Sequence, residues 1–174
     1  MEEESRLSYW SCLRLSYKTE GGKMGEFDSF VKRLKGNIAD WSLERFLDFM
    51  KWSIDNSRDG LLKLPALKGY YKNVEGFSAI YVFTTQDKTV QTTARFINGV
   101  MTVEPLAAEE WDLKIVFKDV PAFWRLIISG GNKIVDAILA NDVQVYGNLN
   151  YLYKFGFMVK DLMSEKLGLD FAHE

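Results

Sequence analysis

WDLKIVF (residues 111–117), PAFWRLII (121–128), NKIVDAILAN (132–141), DVQVYGN (142–148) and LNYLYKFGFMVKDLM (149–163) follow one another in the last third of the chain, and their order decides the fold. The first alternates apolar and polar residues as a half-buried strand does. The second and third are short apolar stretches, the fourth is a strand closing on Gly-Asn, and the fifth reads as an unusually apolar helix. At about 100° per residue, Asn150, Lys154, Asp161 and Glu165 fall on one narrow polar stripe of that helix. Leu149, Tyr151, Leu152, Phe155, Gly156, Met158, Val159, Leu162 and Met163 sweep an arc of roughly 180°, whereas docking on a core needs only about 100°. The surplus requires a further cover: other helices, a second subunit or an apolar ligand.

Upstream, the period is two. FSAIYVFT (77–84) and VQTTARFI (90–97) read as strands, and Asn98-Gly99 joins the second to VMTV (100–103). Asn-Gly is the pair that best tolerates the positive φ angles of a two-residue type I′ hairpin. In the fourth strand, Trp111, Leu113, Ile115 and Phe117 share a face opposite Asp112 and Lys114, so one side of the sheet is destined for a core. The first strand is apolar on both faces, which predicts a central position covered on both sides. The N-terminal helices or a dimer partner are the available covers.

Those helices are read at FDSFVKRL, with Phe27, Phe30, Val31 and Leu34 at helical spacing, and at DWSLERFLDFMKWSID, with Leu43, Phe46, Leu47, Met50 and Ile54. Asp40 or Ser42 is the candidate N-cap of the second. The expected organisation is a poorly patterned segment at 1–25, helices and a glycine-punctuated connector at 26–76, the main domain at 77–165 and a tail at 166–174.

With 174 residues, 47% of them hydrophobic and 26% charged, the chain is expected to be globular and able to bury a core. A net charge of −2 gives no electrostatic reason to expect nucleic acid. No stretch approaches the 18 or more apolar residues of an integral membrane span. A single cysteine and an acidic rather than basic N-terminus make the expected location cytoplasmic.

Taken together, the two strands and hairpin, WDLKIVFKDVPAFWRLI, SGGNKIVDAILAN, and VQVYGN running into the apolar helix resemble the sterol carrier protein 2 (SCP2) family of lipid-binding domains over roughly residues 75–165. Asp119 opens the first helix, Gly130, Gly131 and Lys133 stand near the family's turn, and Gly147-Asn148 closes the strand. The family's compact Gly-Lys-Leu turn is here the longer Ser129-Gly130-Gly131-Asn132-Lys133-Ile134. The resemblance implies an α+β fold: a five-stranded, mostly antiparallel sheet with helices on one face and an apolar tunnel between them. It also implies a wall for that tunnel, made of Phe96, Phe123, Trp124, Ile127, Ile138, Leu152, Phe155, Met158, Val159 and Met163.

The residues offer no catalyst. His173, the only histidine, stands one residue from the end of the sequence, and Cys12 is equally isolated, so neither a triad, a dyad nor a Cys/His metal site can be assembled. Glu109 and Glu110 are adjacent and point to different sides, unlike a paired-carboxylate site. The Gly-Gly pairs at 21 and 130 lack the Lys-Ser/Thr of a phosphate loop. The expectation is therefore a non-enzymatic protein without metal or cofactor that binds or transfers a lipid or other long apolar molecule. The alternative is an interaction or dimerisation module whose apolar surfaces are filled by a second copy or a partner protein.

Overall fold

Asn98 and Gly99 both adopt positive φ, 49° and 83°, as the type I′ turn demands, and the hairpin they close anchors one edge of the sheet. A side chain at Gly99 would also meet the carbonyl oxygen of Val74 at 2.7 Å, so the turn tolerates no Cβ there. The computed structural model describes residues 43–59, 67–128 and 133–166, with backbone alone at 164–166. The helix expected at 26–35, Asp40, Ser42, Cys12, His173 and the Ser129–Asn132 turn lie outside the described residues.

The described elements are α1 (Leu43–Asp59), a 3₁₀ turn (Tyr70–Asn73), β1 (Ala79–Thr85), β2 (Gln91–Ile97), β3 (Val100–Glu104), β4 (Leu113–Phe117), α2 (Val120–Ile128), α3 (Ile134–Leu139), β5 (Val143–Gly147) and α4 (Leu149–Lys160), which runs on into a π-helical turn (Asp161–Lys166). The five strands form one mixed sheet in the order β3-β2-β1-β4-β5. Three of its pairings are antiparallel and β1–β4 is parallel, so the fold is α+β as expected. The parallel pair requires a crossover, because β3 and β4 lie on opposite sides of β1.

One sheet face carries the aromatic core. Ala79, Tyr81 and Phe83 of β1 share it with Ala94 and Phe96, Met101, and Leu113, Ile115 and Phe117, all within 3% of complete burial. α1 packs its stripe of Leu43, Phe46, Leu47, Met50 and Ile54 into this core, each at most 2% exposed. Phe46 meets Phe123 and Trp124 edge-on at 5.8 and 5.7 Å. Such pairs contribute about 0.5–1.5 kcal/mol beyond the area they bury.

The opposite face explains why β1 is apolar on both sides. Thr93, on that face of β2, donates its hydroxyl to the carbonyl of Leu106 at 2.7 Å and accepts from the amide of Ala108 at 2.9 Å. Asp112 receives the amide of Ile80 on its carboxylate. The β3–β4 crossover thus runs over this face and covers Val82 and Thr93, both buried. Sequence patterning had offered the N-terminal helices or a dimer partner as the cover; α1 packs on the other face.

Trp111 departs from its expected place on the core face. β4 begins at Leu113, and the amide of Asp112 just before it donates to the carbonyl of Ile80. Trp111 is left half-exposed beside Lys114 and Val116 on the opposite face.

Candidate functional site

α2, α3 and α4 cover the β1–β4–β5 half of the core face, and their starts are encoded locally. Asp119 accepts the amide of Ala122 at 2.7 Å, an N-cap bond for α2. Asn148 caps α4 by accepting the amide of Asn150 at 2.9 Å. Gly147, with φ of 107°, lets the end of β5 pass within 2.3 Å, measured from an ideal Cβ, of the Asp112 carbonyl. Any side chain there would collide with backbone.

α4 is fixed at both ends by buried tyrosines. Tyr81 donates its phenol to the carbonyl of Tyr151, and Tyr70 to that of Met158, each at 3.0 Å. Burial raises the pKa of both phenols above the ordinary tyrosine value. Asn73 donates to the carboxylate of Asp161, which is buried. Asp161 therefore does not continue the solvent-facing stripe expected from an ideal helix. The 3₁₀ turn packs against this end of α4, so the carboxylate meets Asn73 instead of water.

Between these helices and the sheet lies a half-open groove of about 420 Å³. Its floor is Phe83 of β1 with Ile115 and Phe117 of β4. Phe123, Leu126 and Ile127 of α2 form one wall, and Leu152, Phe155, Gly156 and Val159 of α4 the other. Ile134 and Val135 of α3, with Tyr153, Phe157 and Lys160 of α4, make the rim. In place of the expected tunnel, the described residues form a half-open trough. Among the described residues Lys160 is the only charged side chain on its surface.

Five of the ten residues named from the resemblance meet here: Phe123, Ile127, Leu152, Phe155 and Val159. The other five lie elsewhere. Phe96 is packed on Phe77 and Tyr81 at 5.6 and 5.8 Å, under the other half of the sheet. Trp124, one helix position from Phe123, is rotated about 100° away and faces α1. Ile138 is partly exposed, Met158 is fully buried on the flank of α4 near Tyr70, and Met163 is buried in the π turn. Ile115 and Phe117 could have been added from the alternation of β4, which had already put them on the core face. Tyr153 and Phe157 fell between the polar stripe and the apolar arc of the helical wheel, where neither pattern claims them.

A second depression, about 460 Å³, lies on the other sheet face among Gln86, Trp111, Lys114, Val116, Gln144 and Tyr146. It is slightly larger but shallow and half polar, so it encloses nothing. Among the described residues no group of three or more His, Cys, Asp or Glu could hold a metal ion, no buried polar side-chain atom lacks a hydrogen-bond partner, and no helix is long and apolar enough to cross a membrane.

No family model matches the sequence, and no curated protein does. Among solved structures the chain is similar to a ubiquinone synthesis protein named UbiJ-SCP2, at 14% identity and a TM-score of 0.43, over 55% of this chain and 75% of that one. It is similar also to sterol carrier protein 2 from Yarrowia lipolytica, at 9% identity and a TM-score of 0.43, over 70% and 94% of the two chains. The match to a sec-alkylsulfatase from a Pseudomonas species has 16% identity and a TM-score of 0.45, over 53% of this chain and only 14% of the enzyme. SCP2-like structures, the family the sequence resembles, thus recur among these likenesses, which concern the fold alone.

Proposed function

We propose that the chain binds a long apolar molecule, a fatty acyl, sterol or isoprenoid-like lipid, in the groove beneath α2 and α4, and holds or transfers it without chemical change. One observation carries this reading: a 420 Å³ space walled by aliphatic and aromatic side chains, with Lys160 at the rim the only charge among the described residues. Its size falls within the range of small-molecule sites, about 300–1,000 Å³. Such a wall offers a ligand dispersion contacts and escape from water.

Each buried methylene contributes about 0.8 kcal/mol. Fifteen would contribute about 12 kcal/mol, which after an association cost of about 4 kcal/mol leaves micromolar affinity. Titration with fluorescent fatty acids of graded length is the test. Affinity should rise about fourfold per methylene until the groove is full, then level off. A folded protein that shows no saturable binding at any length would end the carrier reading. Native mass spectrometry of freshly purified protein should show a co-purifying mass of lipid size.

A further inference from the structure

Five large apolar side chains next to the groove are uncovered. On α4, Leu149, Tyr153 and Phe157 recur at every fourth residue and are 50%, 62% and 53% exposed; on α3, Val135 and Leu139, one turn apart, are 58% and 77% exposed. Val135, Tyr153 and Phe157 also rim the groove, so the two stripes join at its mouth. A contiguous apolar surface of this kind on a water-exposed protein marks a contact face.

The charges around it are mostly of one sign. Lys133 precedes α3, and Lys154 and Lys160 stand on α4. Lys154 lies 5.6 Å from the ring centre of Phe77 and 6.0 Å from that of Phe157, so a cation sits directly on the patch. Asp136 is the one exposed carboxylate on these two helices; Asp161 is buried and held by Asn73. A chain whose net charge is −2 has therefore gathered cations around this apolar face.

We propose that this face docks on an anionic lipid surface with the mouth of the groove turned toward the bilayer. Exposed aromatics flanked by lysines suit the boundary between headgroups and acyl chains, where the rings enter the apolar side and the ammonium groups stay with the phosphates. A partner protein would also cover apolar area, but it would give no reason for an apolar groove to open in the centre of the contact. Against a bilayer, a lipid passes between membrane and groove without crossing water. The purpose of the docking rests on the ligand reading above, while its geometry does not.

Flotation of the full chain with vesicles of phosphatidylcholine, alone or mixed with phosphatidylserine, provides the test. Binding should require the anionic lipid and weaken as salt screens it. Lys154→Gln should weaken it about fivefold. Leu139→Ser with Leu149→Ser, both outside the groove wall, should weaken it at least tenfold, with the affinity for a soluble fluorescent fatty acid retained. Trp111→Ser, on the opposite sheet face, should bind vesicles as the unaltered protein does. Absence of vesicle binding, indifference to the paired leucine change, or an effect of that change confined to a monomer–dimer equilibrium would overturn the proposal, the last in favour of a second copy. Vesicle binding by a chain that takes up no soluble lipid would leave the docking standing and remove the carrier reading instead.

Discussion

The two halves of one sheet face differ in how they are covered. Over β1, β2 and β3, the 17-residue α1 lies on the strands and its whole apolar stripe is out of water. Over β1, β4 and β5, the cover is built from α2, α3 and α4, of 9, 6 and 12 residues, and a groove remains between them. A single long helix presents a continuous ridge that interlocks with a sheet. Short helices joined by turns leave gaps where their ends diverge. The packed half supplies stability, and the gap in the other half is the proposed site.

The same substitution in each half measures this difference. Leu47→Ala, at a position with no exposure, should cost about 2–5 kcal/mol in chemical denaturation, since it opens a cavity in a closed core. Leu152→Ala, on the groove wall, should cost about 2 kcal/mol or less, because the space beside it is already open, and it should weaken ligand binding where Leu47→Ala does not. Equal costs would mean that the groove closes in solution and the comparison fails.

The tyrosine struts report how firmly α4 is held across the open half. The Tyr70 phenol has a pKa raised by burial, so the folded state favours its neutral form. The unfolded chain releases that proton near pH 10, and this contribution to stability is complete below pH 10 and lost as pH rises beyond it, at up to about 1.4 kcal/mol per pH unit. Tyr70→Phe should lower stability by about 1 kcal/mol at neutral pH and reduce the steepness of alkaline unfolding. An unchanged alkaline limb would show that the phenol is not buried against Met158 in solution.

The smallest effect is expected at Gly156. A Cβ there would meet nothing within 4 Å, so close approach of another backbone is not why glycine stands in this helix. Gly156→Ala should therefore stabilise the protein by up to about 1 kcal/mol. Because the added methyl enters the groove, the ligand off-rate should change as well. A stabilised variant with unchanged exchange would place the bound molecule away from this turn of α4.

Local pattern carried much of the architecture. The five strands, the Asn98-Gly99 hairpin and the apolar stripe of α1 depend on periods of two and 3.6 and on backbone preferences that neighbouring residues fix among themselves, whereas Asp119 as a helix start was implied by the resemblance. The groove was only half legible. Phe123 and Trp124 are equally apolar neighbours and both meet Phe46 of α1, yet only Phe123 also lines the groove, a choice made by how α2 lies between α1 and the sheet. Asp161 belongs to a polar stripe on the helical wheel, yet the 3₁₀ turn before β1 packs over it and Asn73 binds it.

From sequence pattern came the individual strands and apolar helices, because each element's pattern answers to its own period, and the resemblance to the SCP2 family implied their assembly into a five-stranded α+β sheet. Which apolar residues interlock and which are left around an empty space was decided only in three dimensions. Hydrophobicity dictates that a side chain leave water, but whether it meets a partner depends on the lengths and angles of helices distant in the chain.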